Sequence, residues 1–186
     1  IVLFFTDHGD MMGAHRIRRK GTMPYEELYN IPCIMKLPKG KISKRSVIEE
    51  PIISTDLPGA LLNLADIECP SPFNNTKITE TFNREAPLGN EKVFFEHYAA
   101  WWGHHPFYGI RTADSKYVRY YGEDNTEEMY DLISDPNELH NIANDTNHSD
   151  KKNKLSTEAD QWWKSTNGKT FKFYESEEFK ANLNRL

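Results

Sequence analysis

The sequence predicts an α/β sheet unit followed by a small antiparallel-sheet subdomain with a C-terminal helix, and three observations carry that prediction. An unbroken apolar run, Ile1-Val2-Leu3-Phe4-Phe5, stops abruptly at Thr6-Asp7-His8-Gly9. A helical pattern with Leu57, Leu61 and Leu64 on one face follows a proline-started apolar run over residues 31–37. From Val93 onward the pattern shortens into strand-like runs separated by turns.

Taken in order, the first run reads as a strand buried on both faces, as in a parallel sheet covered by helices. Its polar residues emerge at the carboxyl end, where open α/β sheets place their ligands. Glu26, Glu27 and Leu28 favour a short helix within residues 24–30. Pro32 starts the next strand and Pro38-Lys39-Gly40 closes it. Ser54 or Thr55 is placed to cap the helix that follows, and Cys69-Pro70-Ser71-Pro72 ends that unit. The expected division is therefore residues 1–70 as the α/β portion, 71–92 as a polar, turn-rich connector, and 93–186 as an α+β subdomain. Within the last, residues 93–98, 109–112, 117–121 and 129–132 read as strands of an antiparallel sheet, and Trp162-Trp163 as part of a helix packed on it.

The 186 residues suffice for one domain or a domain with a small appended subdomain. At 38% hydrophobic and 12% aromatic the chain can bury a core, which excludes a disordered tail. Its low mean hydropathy and polar last third suit a domain whose core is completed by further sequence. A net charge of -5 gives no reason to expect nucleic-acid binding. Arg16, Arg18, Arg19 and Lys20 form a local basic cluster, read either as a solvated face or as a partner for a small anion. No apolar run approaches membrane-spanning length. The chain starts without methionine inside a strand-like run, so its true N-terminus and any signal peptide are expected upstream. Glycosylation-type triplets at Asn74, Asn144 and Asn147 agree with a secreted, lysosomal or periplasmic protein. Two cysteines, Cys33 and Cys69, make no disulfide framework.

The chemistry concentrates at the end of the first run. Asp7 and His8 offer a carboxylate oxygen and an imidazole nitrogen that can hold a divalent cation if further carboxylates join them. The competing reading is a hydrogen-bonded loop start. Twelve residues after His8 the chain delivers Lys20, a compact point charge suited to an anionic oxygen.

These residues also carry a resemblance. Phe5-Thr6-Asp7-His8-Gly9-Asp10-Met11-Met12-Gly13-Ala14-His15, then Lys20-Gly21, Tyr25-Glu26-Glu27 and Ile31-Pro32, closely resemble the sulfatase family. Ser54-Thr55-Asp56-Leu57 resembles the family's next helix. Arg111-Thr112 with Lys116-Tyr117, and Met129-Tyr130-Asp131-Leu132 with Asp135-Pro136-Asn137-Glu138 and Asn141, resemble its C-terminal signature. One departure is Asn30, where family members usually carry an arginine; it bears on a structural salt bridge and not on the metal site.

The resemblance implies the C-terminal part of an alkaline-phosphatase-like α/β domain, and a sulfuric ester hydrolase acting on a sulfated carbohydrate or another sulfate ester. It implies that Asp7 and His8 complete a site for one Ca2+ and that Lys20 binds sulfate oxygens. His15 matches a histidine of the sugar-sulfate subgroup, acting by active-site contact or by loop support. Asp10 is expected to brace the loop. The family nucleophile is a hydrated formylglycine made from Cys or Ser in Cys/Ser-x-Pro-x-Arg, which attacks sulfur while the metal polarises the sulfate. That motif is absent: Cys69-Pro70-Ser71-Pro72-Phe73 has proline one place early and no arginine. The nucleophile and the first metal ligands are thus expected in an N-terminal part of the same protein, and this chain alone is expected to be inactive.

Residues 97–108 hold Trp101, Trp102, His104, His105 and Phe107 in a loop that borders the pocket in family members. The tryptophans read as core of the small sheet, and His104 or His105 as a candidate substrate contact. Two other readings stand beside the sulfatase: a phosphodiesterase or phosphonate monoester hydrolase of the same superfamily, and a non-catalytic binding relative.

Overall fold

The structure, a computed structural model, describes residues 1–38, 47–70, 78, 91–98, 106–121, 126–168, 177 and 180–181. By compactness the chain divides into Ile1–Gly9 with Tyr29–Val93, and Asp10–Leu28 with Phe94–Leu186.

In the first unit, strand β1 (Val2–Phe5) pairs with β2 (Cys33–Lys36), setting Phe5 opposite Cys33. The pairing is antiparallel, which corrects the expectation of a parallel strand buried on both faces. Val2 and Phe4 are 63% and 62% exposed. A continuous apolar run reports a strand that gains from being covered; it carries no information on the direction of its neighbour. Leu3 alone of β1 packs on the unit's small core of Leu57, Ala60 and Ile78.

That core is built by helix α2 (Leu57–Leu64; α1 is the short helix Glu26–Tyr29), which follows a 3-10 turn over Ser54–Asp56. It buries Leu57, Ala60 and Leu64, with Leu61 half-buried at the margin. The expected cap is not made: Ser54 and Thr55 lie inside the 3-10 turn, and the capping position Asp56 forms no side-chain cap. Pro58 in the first turn has no N–H, so one donor fewer needs a cap there. The helix closes through Asp66 in the left-handed region, φ 58°, with the Ile67 amide donating to the Leu62 carbonyl at 2.9 Å.

The second unit holds a four-stranded sheet in sequence order, β3 (Lys92–His97), β4 (Phe107–Thr112), β5 (Ser115–Tyr120) and β6 (Glu127–Asp131). The unit boundary falls inside β3. Strand β5 is antiparallel to both β4 and β6, with Ile110 opposite Tyr117 and Tyr117 opposite Met129. The expected meander is therefore present. Strands β5 and β6 each begin two residues earlier than expected, because Ser115, Lys116, Glu127 and Glu128 are polar yet belong to the ladder; β4 also begins two residues earlier, with Phe107 and Tyr108.

Strand alternation gives this sheet two different faces. Tyr108, Ile110, Tyr117 and Met129 pack against helix α3 (Ser149–Ser165) through Leu155 and Ala159, with Trp162 and Trp163 at the edge. The spacing of those four helix positions is the 3.6-residue stripe of an amphipathic helix. Trp163 stacks on Tyr108 at 4.5 Å and Trp162 on Phe94 at 5.1 Å, as the sequence led us to expect of this pair. The opposite face carries Arg111, Lys116, Tyr120 and Tyr130, and it meets residues of Asp10–Leu28. Gly109 lies on that face under the Phe95 ring; a Cβ there would sit 2.3 Å from the Tyr117 carbonyl and 2.6 Å from Phe95.

Candidate functional site

Asp7 and His8 follow β1 after Thr6. The His8 Nδ1 lies 2.6 Å from the Gly9 carbonyl oxygen, which can only accept, so Nδ1 carries the hydrogen. In the neutral ring this leaves the lone pair on Nε2, 3.6 Å from Asp7 Oδ2. Such a separation suits two donors of one cation bound at ordinary metal–ligand lengths. The Asp7 side chain is 83% exposed. Backbone N–H donors, and then the adjacent His8, hold its carboxyl below the ordinary range, so it is anionic at neutral pH. Among the described residues no third His, Cys, Asp or Glu gathers with the pair. The pair therefore fits a metal as two donors of a larger set.

Lys20 and His15 belong to the other unit, on the segment Asp10–Leu28. This segment is tightly wound. Met12, His15, Arg16 and Arg19 have φ of 49°, 50°, 61° and 66°, and Gly13 has 102°. Each non-glycine residue in that region costs on the order of 1 kcal/mol, so the turn persists only because its surroundings hold it. The Met11 amide donates to the Arg19 carbonyl at 3.2 Å and the Gly13 amide to the Ile17 carbonyl at 3.1 Å, while the Met11 side chain is buried. The Asp10 carboxylate accepts from the Met12 amide at 2.9 Å, the bracing contact expected of it. Arg16, Arg18, Arg19 and Lys20 are all exposed.

His15 is packed inward. Its ring stacks on Tyr25 at 3.7 Å with 5° between planes, and its side chain is 12% exposed. Nε2 lies 3.9 Å from Glu27 Oε2, and both atoms are buried without a hydrogen bond.

A third group escaped sequence reasoning. The Lys116 ammonium is buried 2.7 Å from Glu26 Oε1 and 2.7 Å from Glu138 Oε1, and it donates to the Pro24 carbonyl at 2.8 Å. Arg111 adds a 3.2 Å contact to Glu26 Oε2, and the Glu26 amide donates to Glu138 Oε2 at 2.7 Å. Burial is the largest influence on both carboxyls. On Glu26 it is outweighed by Lys116 and Arg111, so that group is held below its ordinary value; on Glu138 burial prevails and pushes the group up. The available signal was the strand alternation, which puts position 116 on a covered face.

His97 stacks on Phe107 at 5.3 Å, and burial lowers its pKa. Phe107 is fully buried, in line with a core role. His104, His105, Trp101 and Trp102 lie outside the described residues. Cys33 and Cys69 are free thiols.

Comparison with known proteins adds an independent line. The family described as N-sulphoglucosamine sulphohydrolase, C-terminal, matches residues 13–165. The chain is 29% identical over 160 residues to an N-acetylglucosamine-6-O-sulfatase of Bacteroides thetaiotaomicron, covering 83% of this chain and 28% of that protein. It is 31% identical over 159 residues to a Delta 4,5-hexuronate-2-O-sulfatase of the same organism, covering 80% of this chain and 31% of the relative. A solved structure in complex with its substrate D-glucosamine-2-N,6-O-disulfate superposes with a TM-score of 0.74 at 27% identity, over 87% of this chain and 33% of that one. The chain thus spans about a third of the length of the relatives it matches.

Proposed function

This chain belongs to the sulfatase family, and from that premise we propose that the protein carrying it hydrolyses sulfate esters or sulfamates on a carbohydrate. The observation that carries the reading is the Asp7–His8 pair, whose Oδ2 and Nε2 lie 3.6 Å apart with the imidazole tautomer fixed from behind. The names of the two relatives, an N-acetylglucosamine-6-O-sulfatase and a Delta 4,5-hexuronate-2-O-sulfatase, support a sulfated sugar as substrate.

The cation we assign is calcium, held by the Asp7 carboxylate and His8 Nε2 together with oxygen donors from the rest of the protein. When bound, it supplies Lewis-acid polarisation of a sulfate oxygen. Lys20 presents its ammonium to sulfate oxygens and neutralises charge that grows as the S–O bond breaks. His15 supports the loop, since its ring is stacked on Tyr25 and its Nε2 faces Glu27. His104 and His105 are assigned to substrate contact by resemblance alone. The formylglycine nucleophile belongs to sequence outside these 186 residues, and a secreted, lysosomal or periplasmic location is part of the same proposal.

The test uses the intact protein with an aryl sulfate and a 6-O-sulfated glucosamine. Lys20→Ala is expected to lower kcat/KM by about a hundredfold or more. Asp7→Ala is expected to abolish calcium-dependent turnover. An unchanged Lys20→Ala enzyme overturns the assignment of Lys20. Preference for an aryl phosphodiester over the sulfates overturns the sulfatase reading.

A further inference from the structure

We propose that Lys116 is a positioning residue, whose buried ammonium clamps the segment Asp10–Leu28 to the sheet and thereby holds Lys20 in place. The inference rests on the reading of Lys20 as the sulfate-binding cation. The Lys116 ammonium meets three oxygens: it donates to the Pro24 carbonyl at 2.8 Å and forms ion pairs with Glu26 Oε1 and Glu138 Oε1, each at 2.7 Å, the Glu138 contact lying outside hydrogen-bond geometry. Its side chain is 2% exposed, so water cannot substitute for any of them. Two of the three partners, Pro24 and Glu26, belong to the segment; the third, Glu138, accepts from the Glu26 amide.

The charges of the cluster balance, with Lys116 and Arg111 against Glu26 and Glu138. A buried ion network is a poor source of stability compared with apolar side chains of the same size, but it tolerates few arrangements. Its use here is placement. The strained turn over residues 12–19 hangs from the clamp by two links. One is the chain itself, in which only Gly21, Thr22 and Met23 separate Lys20 from Pro24. The other is the His15 ring stacked on Tyr25, between the clamped Pro24 and Glu26. Tyr120, on the same sheet face, donates to Met23 Sδ at 3.7 Å and seats the span between Lys20 and Pro24. Without the clamp, the backbone that carries Lys20 would have to be ordered when substrate binds.

The experiment compares the intact protein with Lys116→Met and with the double variant Lys116→Met/Glu138→Gln. The single variant leaves two buried carboxylates facing each other and is expected to lose stability. The double variant keeps the charge balance and leaves a carbonyl oxygen to accept from the Glu26 amide, so it is expected to melt close to wild type. In that variant, amide exchange across residues 10–28 is expected to rise about tenfold or more while β4–β6 stay protected. KM and the inhibition constant for inorganic sulfate are expected to rise about tenfold, and neither depends on how much of the enzyme is folded. Wild-type exchange in residues 10–28 overturns the proposal. So do unchanged KM and sulfate inhibition in an assay that Lys20→Ala cripples. If Lys20→Ala is silent in that assay, the reading of Lys20 has failed, and the clamp stands or falls on the exchange result.

Discussion

Glu127 shows how single residues couple helix α3 to the sheet. Its carboxylate lies 2.9 Å from Arg119 Nη2 and 2.6 Å from Lys152 Nζ, and it accepts from the Tyr117 hydroxyl. Burial alone would raise its pKa; Lys152, Tyr117 and Arg119 outweigh burial and bring it from 4.5 down to about 2. The native state therefore binds fewer protons than the unfolded chain between those values. The stabilisation is complete above pH 4.5 and is lost as pH falls toward 2. Glu127→Gln should flatten the acid side of the stability profile in urea titrations. Because the side chain is 24% exposed and partly screened, its cost at pH 7 should be no more than about 1–2 kcal/mol. Gly109 gives a sharper case. An added methyl would meet a backbone carbonyl and an aromatic ring well inside contact distance. Gly109→Ala should cost about 3 kcal/mol, read as a lower urea midpoint with an unchanged slope. At this scale the bracing of the loop by Asp10 was legible, because its contact with the Met12 amide is local. The Lys116 cluster was not: its acceptor Pro24 and the Glu26–Glu138 bond span 92 and 112 residues, and strand alternation puts position 116 on a covered face without saying what covers it.

At the scale of elements, helix α3 docks through a short stripe. Leu155 and Ala159 are its buried residues, and Trp163 is wedged between Tyr108 and Gly168. Leu155→Ala should therefore destabilise the second unit by about 2–4 kcal/mol in thermal or urea melts. The helix ends with Asn167 in the left-handed region at φ 58°, followed by the Gly168 amide donating to the Trp163 carbonyl at 2.8 Å. A methyl at Gly168 would enter the Trp163 ring at 2.2 Å, so no larger residue fits that closure as it stands. Helix α3 and the meander could be read from periodicity, since each buries a face of its own. The strand starts could not, because Ser115, Lys116, Glu127 and Glu128 look like turn residues until their partners are known. Strand β1 failed for the opposite reason: its composition asks for cover on both sides, and pairing direction is set by the neighbour, β2.

For the whole molecule, the path of the chain is as informative as its contacts. The unit that carries the sheet and α3 is discontinuous, made of Asp10–Leu28 and Phe94–Leu186, with Tyr29–Val93 of the first unit between them in sequence. Residues 94–186 produced alone would lack Pro24, Glu26, Met23 and Tyr25, leaving Lys116 short of two acceptors and one face of the sheet uncovered. That fragment should unfold with weak cooperativity, and a peptide of residues 10–28 added in trans should restore a sharp, saturable transition by circular dichroism. A fragment already cooperative and indifferent to the peptide would show that the sheet does not need the segment. The same wiring has a consequence in time. During synthesis Glu26 is made long before Glu138, its partner 112 residues later. At roughly 5–20 residues per second this is a wait on the order of 5–20 s. Until then the Glu26 amide lacks that acceptor, so the clamp on the segment bearing Lys20 can be completed only after the strands carrying Arg111 and Lys116 have been made.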